Sequence, residues 1–322
     1  MRRESEVEAV GDQFGRVREH TLWHNSALHS IALGCIGCRE RPICDGLAVA
    51  TNIWNCLSLC CGKPNSCDRV CRNNPEFAIR VQEIGGFELR LPSAPSLTPP
   101  ILPAVIPEVF HGAARVRRFA PAAASVSLYR MFDRRTGDPR YRAHADVCRY
   151  FKISEGTPLL LTGSQRDRPL ERWWELGKNK RAAIIRAAQD CGVILATTPN
   201  YSLFIDRPRW DNLHAIKRIA WMHHEFLEAG MPAALHVNGR TERDFSRWAE
   251  FIIAHSEVTH LSYEFATGAG RSTRRRQHAK WLCELAAAVG RPLHLLVRRG
   301  PEVLSQLCAA FSGATFLKRR PS

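Results

Sequence analysis

No apolar run in the 322 residues approaches the roughly 18 that a membrane crossing requires. The opening Met1-Arg-Arg-Glu-Ser-Glu-Val-Glu carries both signs of charge where a secretory signal would place an apolar stretch. These two absences give the expectation of a cytoplasmic protein without a membrane partner. No G-x-G-x-x-G and no Walker A sequence follows any strand-like run, which argues against a doubly wound nucleotide-binding sheet. Acids are scarce as well: 31 Asp and Glu face 46 Lys and Arg, for a formal net charge of +15. With 45% hydrophobic residues the chain can nevertheless bury a full core, so it is not a disordered polyelectrolyte.

What is abundant is cysteine, and it is concentrated. Eight of the twelve fall in one stretch: Cys35, Cys38, Cys44, Cys56, Cys60, Cys61, Cys67 and Cys71. A reducing compartment makes a disulfide framework the poorer reading and a soft metal the better one. Cys35-x2-Cys38 is a spacing shared by zinc and iron–sulfur ligation. A second CxxC does not occur, and Cys60 is followed directly by Cys61, which excludes the radical-SAM CxxxCxxC pattern. The expected cofactor is an iron–sulfur cluster, with zinc as the alternative. Cys148, Cys191, Cys283 and Cys308 lie far apart in apolar patterns and read as small hydrophobes.

Three segments follow: a charged leader over 1–20, a cysteine-rich metal-binding module over 21–85, and a third over 86–322. The last opens on a connector with six prolines between Pro92 and Pro107. Beyond it, short β-rich runs alternate with amphipathic stretches. The runs are Ile101–Ile106, Ser125–Met131, Pro158–Thr162, Val193–Thr197, Ala233–Val237, Thr259–Tyr263, Leu293–Val297 and Ala314–Leu317. The clearest helical patterns are Leu170–Gln189, Trp210–Ala229, Glu242–His255, Thr273–Val289 and Pro301–Ala310, with Gly192, Gly230 and Gly290 at the helix-to-strand returns. Eight alternations predict an α/β fold, a (β/α)8 TIM-like barrel preceded by the small cysteine-rich module.

In such a barrel, chemistry collects where the strands end. Those positions supply Asn200 and Asp206, His236 and Asn238, and Glu264 as candidate catalytic residues. Glu264 stands between Tyr263 and Phe265, aromatic neighbours that suit a general acid or base; the alternative is an ion pair with an arginine. His236 lies inside its strand and reads equally as a hydrogen-bonded core residue. The glycine loop with Gly268 and Gly270, then Arg271, Arg274, Arg275 and Arg276, could cradle a phosphate, joined by Arg298, Arg299 and Lys318 from the last strand ends. Charge is localised accordingly. His111–Lys152 holds ten basic residues against three acids, and Arg271–Ser322 eleven against two. Such excess is the footprint of a polyanion, so nucleic acid is the expected partner.

The segment Thr198-Pro-Asn-Tyr-Ser-Leu-Phe-Ile-Asp-Arg-Pro, with the Trp- and Asn-containing helix and Gly230 after it, resembles an uncharacterised family carried by phages and mobile elements. Its members have a similar PDFSLY-like loop; here Asn200 stands where Asp is more usual. The resemblance implies a barrel-like α/β fold and transfers no activity. The plan of barrel plus cysteine module is also similar to that of tRNA-guanine transglycosylases, although their paired catalytic aspartates and CxC-x2-C motif are missing. The functional expectation is a metal-containing barrel acting on nucleic acid or a nucleotide, through base modification for example. Its alternatives are a non-catalytic nucleic-acid-binding accessory protein of a mobile element and an iron–sulfur redox enzyme for a small substrate.

Overall fold

The computed structural model describes residues 30–31, 48–49, 77–112, 117–203, 209–265 and 272–319. The eight clustered cysteines, and with them the iron–sulfur or zinc expectation, lie outside the described residues. The chain divides into two compact units. One comprises Met1–Glu88, Leu203–Lys217 and Gly239–Arg247, the other Leu89–Ser202, Arg218–Asn238 and Trp248–Ser322.

In the first unit, strands β1 (Ser30–Ile31) and β2 (Ala48–Val49) pair antiparallel. Helix α1 (Phe77–Ile84) carries Arg80, ion-paired to Asp211 at 2.7 Å, and Glu83, 3.1 Å from His214. Arg247 donates to the carbonyl of Phe87 at 2.8 Å.

The second unit holds a closed barrel of eight parallel strands. These are β3 (Val105–Val109), β4 (Ala124–Ser127), β5 (Leu159–Thr162), β6 (Val193–Thr197), β7 (Ala233–His236), β8 (His260–Glu264), β9 (His294–Arg298) and β10 (Gly313–Arg319). Neighbours follow chain order, and β10 closes on β3 with Leu317 opposite Ile106. The intervening helices are α2 (His144–Phe151), α3 (Asp167–Glu175), α4 (Gly177–Asp190), α5 (Arg209–Glu228), α6 (Glu242–Ala254), α7 (Ser272–Val289) and α8 (Leu304–Ala310). None of the described helices is long and apolar enough to cross a membrane.

Strand alternation sends every second side chain inward. Ile106, Ala123, Leu160, Leu195, Ala234, Leu296 and Leu317 meet there as a buried cluster. Each large member contributes about 1.5–3 kcal/mol by leaving water. Gly192, Gly230 and Gly290 have φ of +79°, +81° and +67°, the left-handed conformation that ends a helix without a Cβ clash.

Two expectations change here. The first strand lies at Val105–Val109 and not at Ile101–Ile106: Ile101 is fully exposed, and pairing begins only after Pro103. The single helix expected over Leu170–Gln189 is two helices, because Gly177 adopts φ +76° between them.

Candidate active site

Three charged side chains converge at the carboxyl ends of the strands. Glu108 on β3, Glu264 on β8 and Arg298 on β9 all point inward, two residues beyond the apolar layer or level with its end. Glu264 is the register partner of Arg298, and closure of the barrel brings Glu108 from the far end of the sequence. Arg298 Nε donates to Glu108 Oε1 at 2.6 Å, and its Nη1 donates to Glu264 Oε2. Its Nη2 makes no hydrogen bond among the described residues, and its side chain is 20% exposed. Burial alone would lower the guanidinium pKa, but the carboxylates of Glu264 and Glu108 hold it above the ordinary value.

The carboxylates differ. Glu108 is 4% exposed, and its second oxygen, Oε2, is buried without a hydrogen-bond partner among the described residues. On the adjacent strand, Ser125 is the register partner of Glu108, and Ser127 follows on the same face. The hydroxyls of both serines are likewise buried and unpartnered. Leaving one polar group in that state costs about 1–3 kcal/mol. Three of them on two neighbouring strands form a concentrated departure from the usual rule that buried polar atoms are satisfied.

The remaining rim is tied together. Gly163 follows β5 so closely against β6 that a Cβ there would sit 2.4 Å from the Thr197 carbonyl oxygen. Its N–H donates to Thr197 Oγ1 at 2.9 Å, and its carbonyl accepts from the Tyr129 hydroxyl at 2.8 Å. His236 on β7 meets Ser262 Oγ at 3.4 Å through Nδ1, and burial pushes its pKa down to about 3. It is therefore a neutral imidazole throughout the physiological range.

Of the residues singled out in the sequence, Glu264 and Arg298 are joined directly. Asn200 and Asn238 hold loops: Asn200 Oδ1 accepts from the Gln165 N–H at 2.9 Å, and Asn238 Nδ2 donates to the Tyr201 carbonyl at 3.0 Å. Asp206, Gly268, Gly270 and Arg271 lie outside the described residues. Arg275 is ion-paired to Glu302 at 2.6 Å, while Arg274 and Arg276 stand on α7 beside it. Arg299 and Lys318 are exposed, and the alternation of β10 sends Lys318 away from the inward row of Leu317. Glu108, Ser125 and Ser127 are not among the site candidates that the sequence supplies. A glutamate set between Pro107 and Val109 in an apolar strand was the available signal.

No family model matches the chain, and no curated protein does. Among solved structures it is similar to one described as "a putative phosphonomutase from Burkholderia cenocepacia J2315". That match has 13% identity and a TM-score of 0.36, and covers 67% of this chain and 86% of the other. A second, "a putative lyase/mutase" from the same organism, shares 16% identity with a TM-score of 0.36, over 74% of this chain and 82% of that one.

The functional expectation is corrected. No group of three or more His, Cys, Asp or Glu side chains able to hold a metal occurs among the described residues. Arg298 is charge-balanced by two carboxylates and Arg275 is paired to Glu302, so neither offers the uncompensated positive charge that a phosphate contact draws on. The metal-containing nucleic-acid or nucleotide enzyme, the non-catalytic accessory protein and the iron–sulfur redox enzyme are set aside together.

Proposed function

We propose that the carboxyl-terminal mouth of the barrel is the active site of an enzyme acting on a small polar molecule. In this reading Glu108 is the group that meets the substrate and Glu264 the one that holds Arg298. The observation that carries it is Glu108 Oε2, a buried carboxylate oxygen with no donor, next to an arginine Nη2 with no acceptor. A bound molecule with a donor would remove the cost of the unsatisfied oxygen, and an acceptor on it would add a charge-assisted bond from Nη2. The same pair can move a proton: Glu108 receives it from a donor on the substrate, and the Arg298 guanidinium stabilises the negative charge left behind. His236 adds a neutral imidazole and no net charge.

Stability separates this reading from a structural one. Residues kept for binding, with atoms unsatisfied in the free protein, are ones whose replacement does not harm the fold. Ser125→Ala should keep or raise the melting temperature, and Glu108→Gln, which leaves Arg298 Nε an amide oxygen in place of a carboxylate, should lower it by less than about 4 °C. A fall of more than about 4 °C in both, equivalent to ~1–2 kcal/mol in a domain of this size, would make them structural and remove the reading.

A further inference from the structure

We infer that the molecule bound at this mouth is an uncharged polyhydroxylated compound, a sugar or polyol, seated by a hydroxyl placed between Arg298 and Glu108. The inference rests on the reading of the mouth as the active site and adds to it the chemical class of the substrate.

The free atoms of the site select among three classes. Glu108 Oε2 can only accept and Arg298 Nη2 can only donate. An anionic oxygen, of a phosphate or a carboxylate, would satisfy the arginine but would bring like charge against a buried carboxylate whose second oxygen is already unsatisfied. An ammonium group would satisfy Glu108 but would face a guanidinium beside it and offer it no acceptor. A hydroxyl does both, donating its proton to Glu108 Oε2 while its lone pair accepts from Arg298 Nη2, and the two bonds reinforce each other. The chain of unsatisfied groups then continues on β4. Ser125 Oγ, opposite Glu108, and Ser127 Oγ, two residues further towards the open end, are themselves hydroxyls that both donate and accept. They match a ligand whose next atoms repeat the same function. One hydroxyl would answer the Glu108–Arg298 pair; a row of them answers all four groups. His236 and Ser262 on the opposite wall already share a hydrogen bond and add no charge that would favour an ion.

A matched set of five-carbon probes tests this: xylitol, xylonate and 1-amino-1-deoxyxylitol, each titrated against the full chain by saturation-transfer NMR. The expected result is binding of xylitol in preference to the other two, weakened about 10- to 100-fold in Glu108→Gln, the loss appropriate to a hydrogen bond with a charged acceptor. Preferential binding of xylonate or of the amine, with the same loss in Glu108→Gln, would overturn the substrate class and leave the active-site reading standing. Xylitol binding of equal strength in wild type and Glu108→Gln would overturn the inference, because the hydroxyls would then be held elsewhere. Failure of all three probes to bind would also overturn the class, while the melting temperatures of Glu108→Gln and Ser125→Ala decide the site independently.

Discussion

The two ends of the barrel treat polar side chains in opposite ways. At the amino-terminal floor, His260 and His294 stack at 4.9 Å with their rings 15° apart. His294 Nε2 lies 2.9 Å from Thr315 Oγ1, which donates to the Pro103 carbonyl at 3.0 Å. A hydroxyl has one proton, and here it goes to Pro103, so His294 must carry its own proton on Nε2 and donate it. His260 Nδ1 is matched by Thr259 Oγ1 at 3.1 Å. The floor is thus closed on itself. At the mouth, Glu108 Oε2, Ser125 Oγ and Ser127 Oγ are buried as well and stop without partners among the described residues. Burial is therefore common to both ends of this barrel, and what separates them is hydrogen-bonding capacity left unanswered.

Acid should expose this contrast most strongly. Burial holds His236 down to about 3 and His223 down to about 4. Burial, then the neighbouring His294, holds His260 down to about 4. Folded-state values below the ordinary 6.5 mean that the unfolded chain takes up protons first. The stability due to these groups is complete above pH 6.5 and is lost progressively as pH falls towards 4 and below. Within that window each such group removes about 1.4 kcal/mol per pH unit. Urea unfolding at pH 7, 6 and 5 should show a steady fall, and a flat profile would mean that these rings are hydrated in the folded protein.

The next effect comes from the floor alone. Thr315→Val keeps the shape and removes the hydroxyl that links His294 to Pro103, so two part-buried groups lose their partner. A destabilisation of about 2–5 kcal/mol is expected by calorimetry. A value near zero would show that the floor is as loosely satisfied as the mouth, and the comparison would fail.

The smallest effect divides the two glutamates. Glu264→Gln should cost about 1.5–3 kcal/mol, since it withdraws a charged acceptor from a half-buried arginine. Glu108→Gln should cost less, because an amide oxygen can still accept from Arg298 Nε and the carboxylate it replaces carries an oxygen buried without a partner. Equal losses in the two variants, measured side by side in urea, would erase the distinction between the residue that holds Arg298 and the one held open for a ligand.

Much of the regular part of the barrel is legible in the sequence. From β5 onwards each strand lies within one or two residues of its expected place, because period-2 apolar runs, amphipathic helices and the three return glycines agree. The first strand was not legible for a specific reason. Ile101 and Leu102 extend the apolar run backwards, but Pro103 interrupts it and the exposed Ile101 contributes nothing to the interior. The pattern therefore pointed four residues too early and left Glu108 outside any strand. Arg298 was visible at the end of its strand, yet excess local charge suggested a phosphate partner. That its partners are two glutamates, one of them 190 residues away, is a consequence of closure that no local pattern carries.

That closure has a kinetic side. The seam between β10 and β3 joins Gly313–Arg319 to Val105–Val109, the longest separation of any strand pair in the barrel. During synthesis on a ribosome, seven strands can pair in order as each emerges, but β3 keeps one row of backbone donors and acceptors open until the last strand arrives. An open edge of that kind is a template for strand addition by another chain, and long-range pairings of this sort are slow to form. The ion pair between Glu108 and Arg298 lies at the same late seam. A nascent chain would therefore complete both its apolar interior, through Leu317 opposite Ile106, and the constellation at its mouth in the one step that seals the barrel.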